Sequence, residues 1–228
     1  DKDRSDRSTY KLLGGSIGFY GSTLNTRQYA TKGYLEKLIA QVFTGRERFE
    51  PGNPQEGYSP SPQERQSWLQ ISYMKEAYHT MGPKFTLGWM AEALYSSKNF
   101  SENYTATMMQ AGEFAPTPHS KLMYNEAFRA NQYVAAGIKP IYVLNDMFQF
   151  RTEFYGFTPI FPIKKNALNK AYYGKAFSRF EYMGEVSVIC HLPFGAISAY
   201  VNHYSSPRRE WNVGMTIGWQ LFNYRFVE

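Results

Sequence analysis

The chain has 228 residues, a formal net charge of +6, 18% aromatic residues and one cysteine. Lone Cys190 rules out an intrachain disulfide. No apolar run approaches the ~18–20 residues of a membrane helix, and no basic run exceeds Pro207-Arg208-Arg209 and its neighbours, which argues against nucleic acid as a partner.

Residues 1–9 are polar and read as an end or a loop. Tyr10 to Ser22 (YKLLGGSIGFYGS) reads as a strand with room for close packing. Tyr34 to Phe43 is open: Leu35, Leu38, Ile39 and Val42 have helical spacing, yet a strand fits as well. Arg46 to Gln66, rich in Pro, Gly and charge, reads as a loop. Leu69, Ile71, Tyr73 and Ala77 alternate with Gln70, Ser72, Met74 and Glu76, a two-faced strand interrupted in character by Lys75. After a turn at Met81-Gly82-Pro83, Phe85, Leu87, Trp89, Ala91, Ala93 and Tyr95 alternate with Thr86, Gly88, Met90, Glu92 and Leu94. A long connection to about Asn125 follows, and connections of that length are functional or mobile.

Phe128 to Leu144 and Met147 to Thr158 read as a hairpin about Asn145-Asp146. A two-residue turn pairs Val143 with Phe148 and Ile141 with Phe150 on one face, and Tyr142 with Gln149 and Pro140 with Arg151 on the other. Phe148, Phe150 and Phe154 then oppose Gln149, Arg151 and Glu153. Strict alternation puts Lys139 on the apolar face, so a bulge near Gly137 is expected to reset it. Pro159 to Lys170 is a basic loop.

Tyr172 to Leu192 reads as one long strand. Its even positions (Tyr172 through Val186, Val188, Cys190) carry no charge, whereas its odd positions include Lys175, Arg179, Glu181 and Glu185. That exceeds the usual ~3–10 residues of a globular strand and suits a tilted membrane-spanning one. Pro193-Phe194-Gly195 turns the chain into a strand with Ile197, Ala199 and Val201 on one face. The last strand sets Val213, Met215, Ile217, Trp219 and Leu221 against Gly214, Thr216, Gly218 and Gln220.

Alternation alone does not say which face is inside. Three features select a membrane barrel over a soluble sandwich: connections alternate between tight and long, the polar face mixes opposite charges, and tracing back from the C-terminus puts every tight turn at one end. The expected fold is all-β, an antiparallel transmembrane β-barrel domain over 1–228 with about eight or nine strands, part of a larger barrel. Lumen-facing candidates are Glu92, Arg151, Glu153, Lys175, Arg179, Glu181 and Glu185. If Tyr34–Phe43 is a strand, the count is odd and the first and last strands run the same way, so strands upstream of this chain are expected to complete the wall. The opening DKDRSDRS has no signal-peptide pattern, in keeping with a processed chain or a portion of a longer one.

HLPFGAISAYVNHY (191–204) is similar to the penultimate hairpin of Omp85-type surface-antigen barrels. FRANQYVAAGIKPIYVLNDMFQFRTEFYGFTP (128–159) resembles the C-terminal barrel of patatin-like phospholipases of Bacteroidetes-type bacteria. Over roughly 66–228 the resemblance implies an outer-membrane barrel following a patatin-like domain and a small POTRA-like linker, with membrane lipid and the barrel-assembly machinery as partners and homo-oligomers possible. The C-terminal end resembles the assembly signal through Gly218, Phe222, Tyr224 and Phe226, although Val227-Glu228 follow the final Phe.

Chemistry is sparse. Gly14-Gly15-Ser16-Ile17-Gly18 fits G-x-S-x-G, but the nucleophile elbow needs a following helix that Phe19-Tyr20-Gly21-Ser22 does not begin. The only Asp after Ser16 is Asp146, assigned to a turn. His79, His119, His191 and His203 lack metal-ligand spacing, so no metal, cofactor or catalytic residue is expected here. The leading reading is a barrel that anchors or exports a lipid-hydrolysing domain; the second is a porin-like channel. Arg in place of Val188 is expected to block assembly, and Arg in place of Ser187 to be tolerated.

Overall fold

A computed structural model describes residues 5–52, 65–193, 195–206 and 211–219. Nine strands form one sheet: β1 (Arg7–Ser22), β2 (Gly33–Glu50), β3 (Arg65–Thr80), β4 (Phe85–Ser96), β5 (Gln132–Val143), β6 (Phe148–Pro159), β7 (Glu181–Leu192), β8 (Gly195–Tyr204) and β9 (Trp211–Trp219). Each strand pairs antiparallel with its neighbour in sequence, a pure meander. Among the described residues no ladder joins β1 to β9, and with nine alternating strands these two edges run in the same direction.

The ambiguous Tyr34–Phe43 stretch lies inside β2, which continues to Glu50 through part of the expected loop. Its pairing with β1 over sixteen residues supplies the hydrogen bonds that decide for strand over helix. The expected long strand from Tyr172 is corrected: β7 begins only at Glu181. Ala171–Tyr173 instead folds back on Ile163–Lys165 as a separate two-stranded ladder. Between them the backbone turns, with Phe177 at φ 52°, so alternation there was not a strand signal.

The β5–β6 hairpin is also corrected. Val143 pairs with Gln149, Tyr142 with Phe150 and Ile141 with Arg151. The connection is four residues, 144–147, with the Asn145 side chain accepting from the Met147 and Phe148 amides at 2.9 and 2.8 Å. One residue of slip exchanges the faces of a whole strand. Lys139 and Ile141 thereby lie on the same face as Gln149 and Arg151, and the register runs unbroken past Gly137 without a bulge.

Sidedness is uniform from β4 to β9, whereas the outer row of β3 carries Lys75, paired with Glu36 on β2. Val186, Val188, Phe148, Phe150, Phe154, Val201, Met215 and Ile217 point outward and are exposed, reaching 80% at Val213. Lys139, Arg151, Glu153, Glu185, Gln149, Ser198 and Asn202 point the other way and are buried. The same inner face buries an apolar cluster that includes Met90, Leu94, Tyr133, Phe157 and Met183. Charged groups are almost never fully buried unless paired, and exposed apolar patches on water-soluble proteins stay small.

The sheet curls about this polar face. Four inward aromatic rings lie over a glycine directly opposite on the next strand: Phe43 over Gly14, Tyr78 over Gly88, Tyr155 over Gly137 and Tyr200 over Gly214. A β-carbon on Gly137 would come within 2.2 Å of the Tyr155 ring. The missing side chain lets the ring lie down across the ladder and brings the inner surface closer.

The β3–β4, β5–β6 and β7–β8 pairs are joined by four, four and two residues at one end of the sheet, where the ten-residue 23–32 also lies; the remaining connections, from six to 35 residues long, join strand ends at the other. The 97–131 connection contains α1 (Tyr104–Gln110), capped by Asn103, whose side chain accepts from the Ala106 amide at 2.7 Å.

Candidate functional site

Two connections occupy the concave face. From the tight-turn end, 23–32 folds inward and is latched to strands far from its own in the sheet. Tyr29 Oη shares a 2.6 Å hydrogen bond with Ser198 Oγ on β8. On β6, Arg151 Nη1 donates to the Ala30 carbonyl at 3.0 Å and Gln149 Nε2 to the Tyr29 carbonyl at 3.1 Å. The Gln28 side chain covers Gly218 on β9, and Tyr29 holds a left-handed φ of 53° at the bend.

From the other end, 97–131 brings Phe114 into an aromatic cluster with Tyr133, Tyr155 and Phe157 on the wall, at centroid separations of 6.3, 6.0 and 5.9 Å. His119 packs against Tyr200 and Tyr204, its Nδ1 2.8 Å from the Tyr204 hydroxyl, and burial lowers its pKa. Where the connection leaves β4, Lys98 lies over the rings of Trp68 and Tyr10, and burial brings its amine down to about 8.

Between the two inserts a polar chain crosses the wall. Lys139 Nζ reaches Glu76 Oε1 at 2.8 Å. Tyr78 Oη donates to Glu76 and accepts from Arg151 Nη2. Arg151 Nε meets Glu153 Oε1 at 3.0 Å, and Tyr155 Oη donates to Glu153 Oε2 at 2.6 Å. Arg151 is only 2% exposed, so its neutralisation by a carboxylate and a full set of acceptors is required. Sequence reasoning missed Glu76, Tyr78, Lys139, Gln149 and Tyr155, because the hairpin slip hid Lys139 and tyrosines read equally well on either face.

Two cavities flank the inner segment. One of about 530 Å³, lined by Asp146, Gln149 and His191, opens at the tight-turn end. The other, about 440 Å³, is lined by Glu76, Lys139, Arg151 and Glu153 with Pro116 and Pro118 of the long connection. Arg27, Gln28 and Tyr29 line both and partition them.

The remaining sequence candidates fall in distinct places. Glu92 faces inward on β4 and accepts from Tyr133 Oη at 2.5 Å. Glu185 is buried on the inner face of β7. Arg179 and Glu181 form a 2.9 Å ion pair at the long-connection end, where Arg179 also donates to the Ala127 carbonyl at 2.6 Å and fastens the insert. Lys175 is exposed in the turn before β7, away from the other candidates. Gly218 sits in β9, while Phe222, Tyr224 and Phe226 lie outside the described residues. Ser187 is buried directly opposite Arg151, so Arg in its place is expected to be costly rather than tolerated.

Ser16 lies mid-strand in β1 with no helix after it, and Asp146 lies in the 144–147 turn, so they do not form a dyad. Among the described residues no cluster of three or more His, Cys, Asp or Glu side chains could hold a metal, and no helix is long and apolar enough to cross a membrane. No family model, curated protein or solved structure matches the chain.

Proposed function

We propose that this chain is an arc of a transmembrane antiparallel β-barrel of the outer-membrane type, its outer face against lipid and its polar interior occupied by 23–32 and 97–131. The carrying observation is the sidedness: apolar outer rows on six consecutive strands, β4 to β9, around a buried ionic network. The three tightest connections, all at one end of the sheet, support the same reading. Two further features favour an arc over a closed nine-stranded wall. The parallel sense of β1 and β9 denies them an antiparallel seam, and unsatisfied backbone groups in hydrocarbon cost several kcal/mol each. A barrel of about eight strands is filled by its own side chains, whereas this concave face also holds two inserted segments.

An interior this filled suits an anchor or export scaffold better than an open pore, and the resemblance of 128–159 names a patatin-like lipid acyl hydrolase as the attached enzyme. The porin-like alternative draws on the two cavities meeting at Arg27–Tyr29. The membrane reading is tested by nitroxide labels on single cysteines in a Cys190→Ser background. Labels at Val186 and Val213 should be accessible to oxygen and shielded from aqueous nickel reagent. Aqueous access at both positions would refute it, and sizeable steady conductance in planar bilayers would favour the channel.

A further inference from the structure

The connection from β6 to β7, residues 160–180, carries Lys164, Lys165, Lys170, Lys175 and Arg179 and not one carboxylate. Two of these cations are answered from outside it, Arg179 by Glu181 at 2.9 Å and Lys170 by Glu102 at 3.9 Å. Lys164, Lys165 and Lys175 are exposed and form no ion pair among the described residues. The segment that presents them is braced. Ile163 is buried against Met108 and Ala111 of the 97–131 connection. Asn166 Oδ1 accepts from the Leu168 and Lys170 amides at 2.9 and 2.8 Å. The Gly174 amide donates to the Pro162 carbonyl at 2.7 Å, and the Lys164 side chain lies across Gly174, where a β-carbon would stand 2.9 Å from Lys164 Cε. Lys164 is thereby carried to the residue that precedes Lys175.

The same connection ends on an apolar groove in the outer face. Ala136 and Gly156, opposite one another on β5 and β6, form its floor. Ile138, Phe154, Phe180 and Tyr182 flank them around a volume of about 460 Å³. Phe180 closes on Gly156, where a β-carbon would meet its ring at 3.0 Å. Ser178 Oγ donates to the Lys175 carbonyl at 2.7 Å, and the Phe177 amide donates to the Ile160 carbonyl at 2.9 Å. The turn that holds Lys175 is therefore fastened just past the end of β6, and the lysines adjoin the groove. A cationic mouth above an apolar groove fits a molecule with an anionic head and a hydrocarbon chain. Basic side chains at a membrane surface attract anionic headgroups, and aromatic rings settle at the same level. A soluble acidic partner would use the lysines and leave the groove empty. We infer that this corner binds a phosphate-bearing anionic lipid, its phosphate at Lys164 and Lys175 and one acyl chain along Ala136 and Gly156. The inference rests on the lipid-facing reading of the outer rows.

The test uses purified protein reconstituted in phosphatidylcholine vesicles, with a bimane fluorophore on Ala136→Cys in the Cys190→Ser background. A small share of the lipid is replaced by phosphatidylglycerol or phosphatidylcholine brominated on its acyl chains. The brominated phosphatidylglycerol should quench with an apparent affinity at least about fivefold higher than the phosphatidylcholine. Lys164→Gln combined with Lys175→Gln should bring the two lipids level, and Lys84→Gln, at the tight-turn end, should change nothing. A fluorophore on Val213→Cys is the reference for the membrane reading and should be quenched by both lipids equally. Quenching at 213 with no lipid preference at 136 overturns the inference, leaves the membrane reading standing and assigns the lysines to a soluble acidic partner. An equal preference at both positions, or one that survives the double lysine variant, also overturns it. No quenching by either lipid at either position refutes the membrane reading and the inference with it. If Ala136→Cys fails to fold, Ile138→Cys reads the same groove.

Discussion

Arginine placed along the outer row of β7 measures what that row touches. The strand has twelve residues, Glu181 to Leu192. At ~3.3 Å per residue and a tilt of ~40° it climbs ~30 Å, slightly more than the ~25 Å apolar band of an outer-membrane barrel. Val186 and Val188 then sit near the middle of the band and Tyr182 at its rim, with Cys190 between. Arg at a bilayer midplane costs ~2–4 kcal/mol, falling to ~0–1 at the interface. The variants Val186→Arg and Val188→Arg should therefore lose about 30- to 1,000-fold in folding equilibrium, Cys190→Arg less, and Tyr182→Arg little. Guanidinium titration of protein reconstituted in phospholipid vesicles, with heat-modifiable gel mobility as the check on folding, reads the profile. A flat series, each variant within ~0.5 kcal/mol of the parent, is the behaviour of a face in water and would refute the lipid assignment.

Arg151→Met should cost ~3–5 kcal/mol because Glu153 is left buried with only the Tyr155 hydroxyl, and adding Glu153→Gln should restore part of the denaturant midpoint. Gly137→Ala should lower stability by ~1–3 kcal/mol as Tyr155 is displaced, whereas Gly15→Ala, with nothing within 4 Å, should leave it unchanged in the same titration. Lys98, with its amine at about 8 in the folded chain, binds fewer protons than in the unfolded chain between about pH 8 and 10.5. Stability should therefore rise with pH across that window, and Lys98→Met should flatten the rise in pH-dependent melts. Purified protein should not cleave a p-nitrophenyl ester; cleavage that disappears in Ser16→Ala would overturn the reading of Gly14–Gly18 as strand.

The sheet was legible where one residue in two is apolar over a whole strand. The Val213–Ile217 row announces its face because a single parity carries all the aliphatics, and on β7 the Val186–Val188 row does so because every charge lies on the opposite parity. Legibility failed where turn length sets the parity. Asn145-Asp146 looks like a two-residue turn, yet the Asn145 side chain caps a four-residue one, and Lys139 moves from an unexplained outer position into a paired inner one. It failed again at 172–180, where alternating residues lie in turns and hydrogen-bond elsewhere. Glu153 and Glu185 stand out as charges on an alternating strand. The inserts that bury them do not, because Tyr29 and Phe114 acquire their roles only when the sheet curls around them.

Because every strand of the meander pairs with the strands just before and after it in sequence, the sheet can lengthen one hairpin at a time from either edge without threading or rewiring. Most loop closures in such growth are short, and a growing edge presents a ready template for the next hairpin. The inserts obey a different schedule. Segment 23–32 is made early, right after β1, yet its latches are on β6 and β8, so it stays unfastened until most of the wall has formed. Its capture by Arg151 and Ser198 is therefore a late event that registers how far the wall has curled.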